Sequence, residues 1–144
     1  MSELDTTKKL PRGIRNNNPL NIRKGSQWKG ERPVQTDKAF EEFVSMEYGI
    51  RAGFYLLRKY MSGYSGLTQK FNTIELIIKR WAPPSENATR RYIDAVSKET
   101  GIPANQKLSF TNKKVMCDIV AAMIRVECGC SIERSVIESG YDLL

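Results

Sequence analysis

The stretch TNKKVMCDIVAAMIRVECG, residues 111–129, decides the fold class. Val115, Met116, Ile119, Val120, Met123 and Ile124 fall at helical spacing and fill one stripe. That is the pattern of a helix burying one face. Thr111 is placed to cap its start and Gly129 to end it, because a residue without Cβ enters the left-handed turn that closes many helices.

Working outward, the same period recurs. Ile50, Phe54, Leu57 and Met61 predict a helix over residues 46–62, with a break from Gly63 to Gly66. Asn72 followed by Glu75 reads as a capping box, and Ile74, Ile77, Ile78 and Trp81 follow it to the stop at Pro83-Pro84. Ser85 opens a helix carrying Tyr92, Ile93 and Val96 that ends at Gly101. A last short helix follows Ser131 and stops near Gly140. Residues 13–38, rich in Asn, Gly and Pro, read as loop, and Ile22 with residues 39–45 predicts a small β-hairpin. Residues 1–12 read as a flexible basic arm. The expected architecture is a mainly α (α+β) single domain over residues 13–144.

Composition narrows the chemistry. The 144 residues contain no histidine, which excludes Ser-His-Asp and Cys-His catalysis and argues against His-ligated zinc. Acid–base work falls to Asp, Glu, Lys, Tyr or Cys. The formal charge of +7 favours polyanionic partners or simply solubility. Cys117, Cys128 and Cys130 lack the pairing of a metal site and read as reduced thiols, the alternative being a link through Cys117, because the single Gly between Cys128 and Cys130 is poor geometry for an unstrained disulfide between those two. No signal peptide, no membrane-spanning run, no phosphate-binding loop and no nucleic-acid motif is found. The expectation is synthesis in the cytoplasm, with no metal, no cofactor and no nucleic-acid partner.

Three places can carry chemistry. Glu127 shares a helix face with Val120, Met123 and Ile124. A carboxyl ending an apolar stripe is desolvated and stays protonated near neutrality, as a glycosidase acid must. The alternative is a solvated Glu, or one paired with Arg125 or Arg134. The amides of Asn16, Asn17, Asn18 and Asn21 suit sugar hydroxyls and N-acetyl groups, or plain turns. Trp28 nearby can stack on a sugar or pin its loop. The segment 81–92 brings Glu86, Asn87 and Tyr92 to one edge, or is only a helix–helix corner.

Together these segments resemble a phage and prophage structural-protein or endolysin-like family. Gly13-Ile14-Arg15-Asn16-Asn17-Asn18-Pro19-Leu20-Asn21-Ile22-Arg23 is similar to its R-G-I-R-N-N-N-P-G-N-I-R pattern. Trp28-Lys29-Gly30, Phe40-Glu41-Glu42-Phe43 and Gly49-Ile50-Arg51-Ala52 continue the likeness, as do Trp81-Ala82-Pro83-Pro84-Ser85-Glu86-Asn87 and Ala122-Met123-Ile124 before Glu127. The resemblance covers roughly residues 12–140. It implies a lysozyme-like domain that cleaves peptidoglycan glycan strands, as a lytic transglycosylase or muramidase, with Glu127 as general acid. Asn17, Asn18, Asn21, Trp28, Glu86, Asn87 and Tyr92 would bind substrate. Asp37, Glu41, Glu47 and Glu86 are candidates for a second carboxylate. The Glu comes after the Asn-rich element rather than before it, which implies a circular permutation. Leu20 stands where the family has Gly, so a positive φ there would be strained; Cys128 stands where it has Asn. The protein would reach the wall by holin release, by injection or in a virion. The alternative is a non-enzymatic virion or wall-binding protein that keeps the fold.

Overall fold

A computed structural model describes residues 10–63, 69–82 and 85–144. Most of the expected arm, the break after Gly63 and the Pro83-Pro84 joint lie outside the described residues. Those described form six helices: α1 (Arg12–Arg15), α2 (Met46–Ser62), α3 (Ile74–Trp81), α4 (Glu86–Thr100), α5 (Lys113–Cys128) and α6 (Arg134–Asp142). Among them, no helix is long and apolar enough to cross a membrane.

The apolar stripes meet where their periods predict. Ile50, Phe54 and Leu57 of α2 are fully buried against Met116, Ile119, Val120, Met123 and Ile124 in one core. Burying each such side chain contributes roughly 1.5–3 kcal/mol. The α2 helix packs on α6, α5 on α4 and α6, and α3 on α4. Helix ends follow local chemistry. Ser45 and Ser85 accept from the third N–H beyond, and Gly63, Gly101 and Gly129 close α2, α4 and α5 in the left-handed region.

Two caps shift by one residue. Thr73, not Asn72, accepts from Leu76, and the Asn72 carbonyl takes the N–H of Leu108. Asn112, not Thr111, accepts from Val115, because the Thr111 hydroxyl pairs with Ser109. The last helix begins at Arg134 and runs through Gly140. There a Cβ would meet Ile50 Cγ2 at 2.6 Å, so this Gly permits close packing rather than a stop.

The expected β-hairpin is not seen. Two isolated antiparallel bridges, Arg23 with Phe40 and Glu31 with Phe43, are all that remains of it. Backbone bonds still join the two segments, from the N–H groups of Lys24, Arg32, Glu41 and Val44 to the carbonyls of Ala39, Glu42, Ile22 and Gly30, but side chains take neighbouring groups that a continuous ladder would use. Asn18 donates to the carbonyls of Ile22 and Glu41 and accepts from the Ile22 N–H. Gln35 donates to the Glu42 carbonyl and accepts from its N–H. The Glu42 carboxylate accepts from the N–H groups of Thr36 and Asp37.

The loop lies directly on α2. A Cβ at Gly49 would meet the Asn17 carbonyl at 1.8 Å, and one at Gly53 would meet Leu20 Cδ1 at 2.3 Å. Leu20 is therefore a core residue, 1% exposed. The positive φ values fall instead on Asn17 (51°) and Asn21 (54°), a residue type that tolerates them. The expected strain at Leu20 is absent.

The reading of Cys128 and Cys130 as reduced thiols is also corrected. They form a disulfide, with Cα atoms 5.4 Å apart. Left-handed Gly129, at φ 67°, folds the chain back enough to bring the two together. Cys117 is free and buried.

Candidate active site

Glu127 occupies the last turn of α5, half-buried. Its carboxyl meets three groups from three elements. The Asn21 amide donates to the Glu127 carbonyl at 3.2 Å and to Oε1 at 3.3 Å. It thereby satisfies one of the carbonyls a helix end leaves open. The left-handed backbone at Asn21 turns this amide toward α5. Trp81, ending α3, and Tyr92, in the second turn of α4, are the other two.

Burial pushes the Glu127 carboxyl above its ordinary range. The facing Tyr92 hydroxyl, the Asn21 amide that donates to Oε1, and Trp81 favour the ionised form and work against that shift. Tyr92 is 7% exposed, and its hydroxyl completes no hydrogen bond of ordinary geometry. Burial, then the facing Glu127 carboxyl, raises the phenol well above its usual range, so it stays neutral.

Glu127 stands between two clefts. One, of about 470 Å³, is walled by Asn21, Arg23, Phe40, Tyr60 and Trp81. The other, of about 410 Å³, is walled by Ala88, Arg91, Tyr92, Ala95 and Val126. Ala82 and Glu127 line both. A chain-like ligand spanning the two would cross the carboxyl. The first cleft offers aromatic faces, with Tyr60 set edge-on to Trp81 at 6.2 Å between ring centres. Such faces suit the apolar side of a sugar ring.

The expected site residues separate into two groups. Glu127, Asn21 and Tyr92 come together. Asn17 donates to the Phe43 carbonyl and Asn18 is fully buried among backbone groups, so both amides hold the loop. Trp28 packs edge-on against Tyr55 at 5.5 Å and pins its loop beside Ile22 and Phe43. Glu86 and Asn87 are exposed in the first turn of α4 and wall neither cleft.

The candidates for a second carboxylate also lie elsewhere. Asp37 holds Arg12 through two contacts of 2.6 Å, and that guanidinium keeps it far below the usual carboxylate range. Glu41 is 3% exposed and pushed up to about 7, by burial first and then by hydrogen bonding and charge from Glu31. Glu47 borders a third depression with Ser139 and Asp142. Among the described residues, no cluster of three or more acidic or thiol ligands could hold a metal.

Trp81 falls in the apolar period of α3 and reads as core, and the sequence marks no site role for Phe40, Tyr60 or Arg91. Trp81 lies in the segment that carries the family likeness, a signal that could have marked it. Tyr60 follows Leu57 by three residues on α2 and reads as core until the fold places it beside a cleft.

No family model matches the chain. It is similar to Protein P5 of Pseudoalteromonas phage PM2, with 48% identity over 122 residues, which span 82% of this chain and 71% of that protein.

Proposed function

We propose that this chain, which belongs to the family of Protein P5 of phage PM2, cleaves the glycan strands of bacterial peptidoglycan with Glu127 as its acid. One observation carries the reading: a carboxyl held above its ordinary range by burial, at the junction of two clefts, with aromatic walls on one side. The sequence resemblance to the endolysin-like family, which implies a lysozyme-like domain with the acid moved to the C-terminal side by permutation, supports the same substrate.

The transglycosylase branch is favoured over hydrolysis. A muramidase normally needs a second carboxylate, and among the described residues Glu127 is the one acidic residue walling these two clefts. In this branch the Glu127 proton passes to the glycosidic oxygen as the bond from C1 breaks. The C6 hydroxyl of the same muramyl sugar attacks C1 and returns its proton to Glu127. The product is a 1,6-anhydro end, and no water is consumed. The donors around the carboxyl keep its affinity for protons moderate, so that one group both gives and takes. Delivery to the wall would be by holin release, by injection or within a virion.

The test is muropeptide release from purified peptidoglycan. Wild type should release products with 1,6-anhydro ends. Glu127→Gln should lower the rate by at least about 100-fold while leaving the circular dichroism spectrum unchanged. No release by wild type would overturn the reading and leave a non-enzymatic virion or wall-binding role. Release of reducing ends would favour the muramidase branch.

A further inference from the structure

Two guanidinium groups wall the clefts that Glu127 joins, without an acid partner among the described residues. Arg90 and Arg91 are neighbours on α4, yet only Arg90 is paired, with Glu75 at 3.3 Å. Arg91 is exposed and has no carboxylate partner among the described residues. It walls the second cleft, where Ala82, Ala88, Ala95 and Val126 leave room around it. Across the acid, Arg23 walls the first cleft and lies over the Phe40 ring at 4.9 Å. It too has no carboxylate partner among the described residues. The contrast with the end of α5 is plain. There Arg125 holds Glu99 at 3.3 Å, and on α6 Arg134 holds Asp118 at 2.7 Å.

Among the described residues that wall the two clefts, Glu127 is the one acid against Arg23 and Arg91, so their sum is positive even when that acid is ionised. A guanidinium left open in a recess is suited to forked pairing with a carboxylate. Stacking on Phe40 holds Arg23 in place ahead of binding.

We infer that Arg91 and Arg23 read carboxylates hung from the sugars, so that the groove selects anionic β-1,4 glycans over neutral ones. This rests on the proposed glycan cleavage and narrows its substrate. The carboxylate has two sources. One is the peptide stem. The other is the lactyl group, which is freed when an amidase removes that stem. If the stem is the source, this chain must act before such an amidase. If the lactyl group is, it acts after.

Binding and cleavage test the two ideas separately. The Glu127→Gln protein is titrated calorimetrically with three probes: peptide-bearing strands, amidase-stripped strands and chitohexaose, which carries no carboxylate. At least one anionic probe should bind about tenfold more tightly than chitohexaose at low salt, with the gap closing as salt rises. The tighter anionic probe identifies the source. Adding Arg91→Ala should remove most of the gap by weakening the anionic probes far more than chitohexaose, while Arg91→Lys should restore part of it. Equal binding of all three probes, binding of none, or an Arg91→Ala variant that keeps the full gap would overturn the inference. If the gap is present but wild type cuts no strand, anion selection stands and the cleavage reading falls.

Discussion

The loop region, residues 10–45, and the helical body are held by different forces. In the body, apolar side chains meet in one core, and Phe54 alone touches the rings of Phe110 and Tyr141. In the loop, amides and carboxylates bind the backbone directly, with Asn18 and Glu42 each serving several groups. The body's cohesion is non-directional, and the loop's depends on geometry and protonation. The candidate site sits on their seam, where Asn21 from one meets Glu127 from the other.

The sharpest way to break the contrast is at the contact itself. Gly49→Ala puts a methyl where the Asn17 carbonyl lies. It should either unfold the protein or separate loop from body, read as lost protection of loop amides in hydrogen exchange. Within the body, Phe54→Ala should cost about 3–5 kcal/mol, with little change in that cost between pH 5.5 and 8. A cost that varied strongly with pH would remove the distinction.

Within the loop, Asn18→Ala leaves the buried Ile22 N–H and the Glu41 carbonyl without their partner, while the Ile22 carbonyl keeps the Glu41 N–H. It should cost about 2–4 kcal/mol in denaturant melts. The proposed activity should fall with it, since Asn18 shapes the turn that carries Asn21. The loop also carries the pH dependence. Glu41, pushed up to about 7 by burial and then by Glu31, binds a proton more tightly folded than unfolded. Its contribution is intact below the ordinary value of 4.5 and declines as pH rises toward 7. Glu41→Gln should flatten the loss of melting temperature between pH 5.5 and 8, an effect of about 2 kcal/mol. The same slope in variant and wild type would refute this.

The smallest effect should come from reducing Cys128–Cys130. So short a loop gives stabilisation of at most about 1.5 kcal/mol. Glu127 adjoins it, however, so reduction should disturb the proposed activity more than the melting temperature.

The same division governs what could be read from sequence. Helical periods and glycine stops mark the body: α2 covers the expected residues, and α4 and α5 end where predicted. Capping by Thr73 and Asn112 differs by one residue because each has a capping-competent neighbour, and spacing alone does not choose between them; at Asn112 the neighbouring Thr111 hydroxyl is engaged with Ser109. The loop was harder. Nothing local distinguishes Asn21, which reaches the acid, from Asn17 and Asn18, which hold backbone. The hairpin expectation failed because side-chain competition for backbone groups leaves no trace in an alternating pattern. Glu127 was legible as a desolvated carboxyl. The clefts on either side of it were not, since Tyr60, Trp81 and Phe40 come from separate elements.

The bond from Asn21 to Glu127 joins residues 106 positions apart. Contacts of such separation close a long loop and come late in folding, after local helices have formed. During synthesis the Asn-rich turn leaves the ribosome long before α5 exists. The nascent chain therefore has a half-site without an acid, and the pair is completed only when nearly the whole domain has been made. A folding defect anywhere between them, even one remote from both clefts, should show first as slow acquisition of this site rather than as loss of helix content.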